Sequence, residues 1–147
     1  MTRSRLAAAA CAIAVAWTWT IISVSAWKQA TDAPQDTFTT VYHGWIWWHS
    51  YCYRCHGMNA VGATLGPSLI EPARKLGFPE FFEKVRLGNP HKTVQGWNTL
   101  LDKQIEEIYA YVEARTDKVL PPGRPDEAGP NGGHWKPPDG WPKGSGK

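Results

Sequence analysis

Residues 38–56 read FTTVYHGWIWWHSYCYRCH, and the last five, Cys52-Tyr53-Arg54-Cys55-His56, decide how the rest of the chain is read. Two thiols separated by two residues and followed at once by an imidazole form the pattern of covalent haem attachment. The spacing has a chemical reason. The sulfurs add across the two vinyl groups of the porphyrin as thioethers, and His56, the next residue, is then placed to reach the iron through a neutral ring nitrogen. Two other readings of the pair stay open at this level. A redox dithiol wants a strand before it and a βαβ setting, whereas an aromatic segment precedes this one. A zinc site wants four ligands, and the chain has only one further cysteine, Cys11.

Upstream of the motif, Val41, Trp45, Trp48 and Cys52 recur at helical spacing and predict an amphipathic helix over 38–51. Core packing is expected of Trp45 and Trp48. Downstream, 57–69 (GMNAVGATLGPSL) holds three Gly and one Pro and reads as a loop. Residues 70–77 have room for a helical turn. Pro79 then opens a short helix at its first turn, Phe81, Phe82, Val85 and Leu87 supply its apolar side, and Gly88 ends it. A loop over 89–99 follows. The strongest pattern is TLLDKQIEEIYAYVEART at 99–116, with Thr99 as N-cap and Asp102 three residues on. Leu101, Ile105, Ile108 and Val112 form its apolar stripe, widened by Leu100 and Tyr111, while Lys103, Glu106 and Glu107 are assigned to solvent. No alternating pattern argues for a sheet, so the expected fold is all-α over 38–116. A core that small usually needs a staple or a large buried ligand, and a haem would supply that apolar surface.

The two ends differ from this middle. The 31 residues of 117–147 hold seven Pro and seven Gly, too many for helix or strand, and read as an irregular tail. Trp135 and Trp141 in that tail either dock back on the domain, the favoured reading, or anchor a partner. Residues 1–26 read as a signal peptide: Arg3 and Arg5 lead an uncharged apolar run over 6–16, and Val24-Ser25-Ala26 offers a cleavage site after Ala26. The alternative is an uncleaved anchor over 6–27, which is long enough to span a bilayer. Residues 27–37 are a polar lead-in. In either case the remainder crosses the membrane, which places it in the periplasm, with a membrane as partner only if the leader is retained. Net charge is +3 with Arg3 and Arg5 and +1 without them, and two haem propionates make it negative. Nucleic acid is not an expected partner.

On these residues the chain resembles the class I monohaem c-type cytochromes over 38–116. Gly44 lies eight residues before Cys52 and Trp48 four before it. In that family a Gly and an aromatic at those places let the first helix cross the last one closely. Ile108-Tyr109-Ala110-Tyr111-Val112 is similar to the matching segment of the last helix. Gly66-Pro67-Ser68-Leu69 is similar to the loop whose Pro carbonyl holds the proximal His. The resemblance thus implies that Pro67 sits behind His56 and fixes its tautomer. It also implies one covalent haem c, a redox-carrier role without enzymatic turnover, and redox proteins as partners. A softer resemblance, carried by Tyr109-Ala110-Tyr111-Val112-Glu113-Ala114-Arg115 and Pro122-Gly123-Arg124-Pro125, is to cytochromes that accept electrons from quinoprotein methanol or alcohol dehydrogenases. A downstream cytochrome or oxidase would then take them on.

The chain departs from that family at one position. The family supplies a Met as sixth iron ligand from a Met-Pro in the loop before the last helix, and here Val94 and Gln95 stand in that place. Val has no lone pair to give. Met58, two residues past His56, is tied to the proximal side. The sixth position is therefore left to His91 or to water and an open site, with His43, His49 and His134 as remoter candidates. Two imidazoles would lower the potential relative to His/Met. An open iron would suit a small-ligand sensor or a peroxidase-like enzyme, the alternative to an electron carrier. Trp97 is similar to the family's aromatic near the distal haem face.

Overall fold

The computed structural model describes residues 36–88 and 96–142. The leader over 1–26, most of the lead-in over 27–37, the segment 89–95 with His91, Val94 and Gln95, and the last five residues lie outside them. The described residues form four α-helices and a single isolated bridge, Ala63 with Gly66, and no strand. None of these helices is long and apolar enough to cross a membrane.

Helix α1 spans Thr37–Tyr51. It begins where Asp36 caps it: Asp36 Oδ1 accepts from Thr39 N at 3.0 Å and Oδ2 from Thr39 Oγ1 at 2.6 Å. These bonds hold the Asp36 carboxyl below its ordinary range. A one-residue break at Cys52 leads into α2, Tyr53–His56. Helix α3, Ile70–Leu87, is two helical pieces joined at Gly77, whose φ of 67° no side-chain-bearing residue adopts readily. Pro79 falls in the first turn of the second piece, where its missing N–H has no helical partner to lose. The 70–77 turn is thus a full helical piece. Leu87 is 67% exposed and does not join the apolar side.

Helix α4, Asp102–Thr116, starts later than the pattern suggests. Its cap residue is Leu101, not Thr99, and Gln104 Oε1 accepts from Leu101 N at 2.8 Å. The cause is Arg86 on α3. Its guanidinium donates to the carbonyls of Trp97, Asn98 and Leu100 and pairs with Asp102, so 97–101 is held in turns and cannot wind into helix. Leu101 is consequently exposed, and Leu100 is the residue that enters the core.

Val41 and Trp48 of α1 pack on Ile105, Ile108, Tyr111 and Val112 of α4, with Ala73 and Phe81 of α3 closing the third side. The crossing point is Gly44. A Cβ there would lie 2.6 Å from the Glu107 carbonyl carbon and 2.9 Å from Tyr111 Cβ, so only glycine admits the approach. Trp45 is half-buried. Its indole lies tilted against His49 at 4.3 Å and takes the Arg124 guanidinium over its ring at 5.3 Å, so it faces the tail side, not the centre of the core as expected.

The tail docks back on the domain. Leu120 and Pro125 are fully buried, and Trp135 and Trp141 nearly so. Trp135 Nε1 donates to Val119 O at 2.8 Å, Trp141 Nε1 to Asp117 Oδ2 at 3.0 Å, and the two rings meet edge to face at 5.6 Å. Among the described residues of the tail, the one helical piece is a 3-10 turn at Pro130–Gly132. Trp135→Ala removes a large buried ring and orphans the Val119 carbonyl, a loss of about 3 kcal/mol. Denaturant melts should register it, and an unchanged midpoint would show that the docked tail adds nothing to stability.

Candidate haem-attachment site

The motif lies where α1 runs into α2. Trp48 O accepts from Cys52 N at 2.8 Å, and Cys52 O accepts from His56 N at 3.0 Å, so one nearly continuous helical path carries both thiols. Both are free. Cys52 is half-buried and Cys55 exposed. Burial, with Cys55 nearby, pushes the Cys52 thiol up to about 12.

His56 Nδ1–H donates to the Pro67 carbonyl at 2.8 Å. That bond leaves the lone pair on Nε2, the tautomer a metal-binding imidazole needs. The chain after His56 folds back over the motif to make it. Gly62 N donates to His56 O at 2.8 Å, Ala63 and Gly66 bridge, and Leu69 N donates to Ala60 O at 2.9 Å. Gly66 lies so close that a Cβ on it would stand 2.7 Å from Cys55 O and 3.1 Å from His56 Nδ1. Two free thiols, an imidazole with its tautomer set, and a glycine pressed against the motif fit a covalently held haem. Among the described residues no three His, Cys, Asp or Glu come together as a cluster for a bare metal ion.

Core residues brace this turn. Trp48 Nε1 donates to Gly57 O at 3.0 Å, and its ring lies 6.2 Å from His56 and 5.8 Å from Tyr111. Tyr111 OH donates to Met58 O at 3.3 Å, and burial pushes that phenol up to about 12. Met58 is tied by its backbone, and its side chain is 64% exposed.

The other histidines within the described residues are engaged elsewhere. His43 Nδ1 lies 3.3 Å from Glu107 Oε1, His49 Nδ1–H donates to Trp45 O at 2.8 Å, and His134 stacks on Phe38 at 4.7 Å. Trp97 packs edge-on against Tyr51 at 5.3 Å, and its N–H donates to Val85 O at 2.8 Å. His91 and Val94 lie outside the described residues.

Glu107 corrects the reading of α4. It is 4% exposed and accepts from Trp47 Nε1 at 2.7 Å as well as facing His43, so it belongs to the α1–α4 interface and not to solvent. The sequence carries a signal for this: 104, 107 and 111 share one face of a helix, and the apolar stripe puts Tyr111 inside.

The chain is 30% identical over 95 residues to cytochrome c-555 of Methylococcus capsulatus, an alignment covering 64% of this chain and 76% of that protein. It is 28% identical over 116 residues to cytochrome c-553I of Paracoccus denitrificans, covering 67% of this chain and spanning half the length of that relative. Among solved structures, the c-type cytochrome XoxG from Methylobacterium extorquens AM1 superposes with a TM-score of 0.48 at 22% identity, over 52% of this chain and 50% of that one. No protein-family model matches. An all-helical domain wrapped on a CxxCH turn defines a covalent haem protein. The chain belongs to the class I c-type cytochromes, a family of electron-transfer proteins that carry covalently bound haem c.

Proposed function

We propose that this chain is an exported, single-haem electron carrier. The observation that carries the reading is the His56–Pro67 bond of 2.8 Å beside two free thiols. Cys52 and Cys55 Sγ are the attachment atoms, His56 Nε2 is the proximal ligand, and Pro67 O orients the ring and raises its basicity. The haem, when bound, supplies a one-electron couple between ferric and ferrous iron. Trp48 and Tyr111 hold the backbone at Gly57 and Met58, which keeps the ligand rigid and the structural change between oxidation states small.

Its partners are redox proteins. An upstream dehydrogenase, of the quinoprotein methanol or alcohol kind suggested by 109–115 and 122–125, donates, and a second cytochrome or an oxidase accepts. Such contacts are small and short-lived. The leader over 1–26 supports the periplasm as the compartment, which suits thioether formation outside the cytoplasm.

Visible spectra of both oxidation states, with added carbon monoxide, test the reading. A carrier gives low-spin bands indifferent to the gas. High-spin bands with rapid gas binding, as Val94 in the Met position would favour, would replace the carrier with the open-iron sensor or peroxidase-like protein. His91→Ala alters the low-spin spectrum if that imidazole is the sixth ligand, and an unchanged spectrum removes it.

A further inference from the structure

The loop over 57–69 carries the carbonyl that orients His56, and it is held from three sides. Trp48 of α1 holds Gly57, and Tyr111 of α4 holds Met58. The third hold comes from the segment after α4. Gly123 N donates to Asn59 Oδ1 at 3.1 Å, across 64 residues of sequence. The residue next to Asn59 is strained. Ala60 is fully buried at φ 62°, a left-handed conformation that a side-chain-bearing residue keeps only where its surroundings over-determine it. Ala60 O in turn accepts from Leu69 N at 2.9 Å and from Ser68 Oγ at 3.3 Å, and these residues directly follow Pro67. A continuous run of bonded contacts therefore joins Gly123, Asn59, Ala60, Ser68, Pro67 and His56.

We infer that Asn59 is a positioning residue for His56, the point at which the segment after α4 straps the ligand-setting loop. The strap has anchors of its own. Pro125 is buried and its carbonyl accepts from Trp135 N at 2.7 Å, while Arg124 pairs with Asp126 at 2.7 Å and lies over Trp45. The Asn59 side chain is the hydrogen-bonded link from this anchorage to the residue before Ala60. Without it, Ala60 can relax toward ordinary φ, Ser68 and Leu69 follow, and the Pro67 carbonyl withdraws from Nδ1–H. A weaker bond at Nδ1 leaves a less basic imidazole, which stabilises ferric iron less. The inference rests on His56 being the haem ligand.

The test compares wild type, Asn59→Ala and Asn59→Asp, all as haem-loaded protein from a maturation-competent host. Hydrogen exchange is followed at the His56 ring N–H and the Leu69 amide, with amides of α1 and α4 as reference, and the reduction midpoint of Asn59→Ala is measured. Loss of one such bond should speed exchange about three- to fivefold at His56 and Leu69 and leave the helices unchanged. The midpoint of Asn59→Ala should rise. Asn59→Asp keeps an acceptor for Gly123 N–H and should restore slow exchange. Unchanged exchange at His56, acceleration spread evenly over the helices, or an Asp variant as fast as the Ala variant would each overturn the inference while leaving the haem reading intact. Wild-type protein without covalent haem would remove both.

Discussion

Gly44→Val should leave the chain without a native state. The first branched carbon at position 44 would meet the Glu107 carbonyl and Tyr111 Cβ at separations that real Cβ atoms do not show. What blocks it is helix backbone, which cannot swing aside as a long side chain does. Relief requires α1 and α4 to move apart, and that opens the interface holding Val41, Trp48, Ile108, Tyr111 and Val112. Overpacking against yielding neighbours costs about 1–3 kcal/mol. Here the neighbours do not yield, so even Gly44→Ala should exceed about 3 kcal/mol, a large part of the roughly 5–15 kcal/mol of a small domain. Circular dichroism and a denaturant melt read both variants. A valine protein with a cooperative melt near that of wild type would mean that the two helices do not cross at Gly44.

Replacing both Cys52 and Cys55 by Ser should abolish covalent haem. Wild-type protein exported by a host competent in cytochrome maturation should retain haem stain on a denaturing gel and show the mass of polypeptide plus one haem. The double variant should show neither, because Ser oxygen does not take the place of thiolate sulfur in thioether formation. Any haem that His56 still holds through its ring nitrogen would be lost on denaturation. Single variants keep one attachment point each, and the two sites are unlike: Cys55 is exposed and Cys52 half-buried at the end of α1. Stain surviving in the double variant would move the attachment elsewhere and end the present reading of the motif.

Much of this was legible in the residues because local signals and global fold agreed there. The motif points to its own chemistry, α1 and α4 carry apolar periodicity, and the resemblance to the class I cytochromes singles out Gly44 and Pro67 by their places relative to Cys52 and His56. Where reading failed, a contact distant in sequence had overridden a local rule. Thr99 is a good cap by type, but Arg86 takes the carbonyls around it and delays α4 to Asp102. Glu107 is an acid and by type belongs outside, yet Trp47 and His43 come across from α1 to meet it. Among the described residues the Pro- and Gly-rich tail holds no α-helix or strand, as its composition predicts. That composition says nothing of Asn59, whose side chain meets a backbone N–H that carries no mark of its identity.

Glu107 has a consequence for assembly. Both of its carboxylate oxygens face donors on α1, Trp47 Nε1 and His43 Nδ1. If α1 slid along α4 by one helical turn, about 5.4 Å, apolar side chains away from the Gly44 crossing could find new apolar neighbours at modest loss, since hydrophobic contact is not directional. The carboxylate could not. It would sit in a dry seam with no donor, at a cost of several kcal/mol. The acid thus acts as an index pin between the two helices. Beside the close crossing at Gly44, this acid puts a second penalty on every slipped pairing before the prosthetic group is ever enclosed.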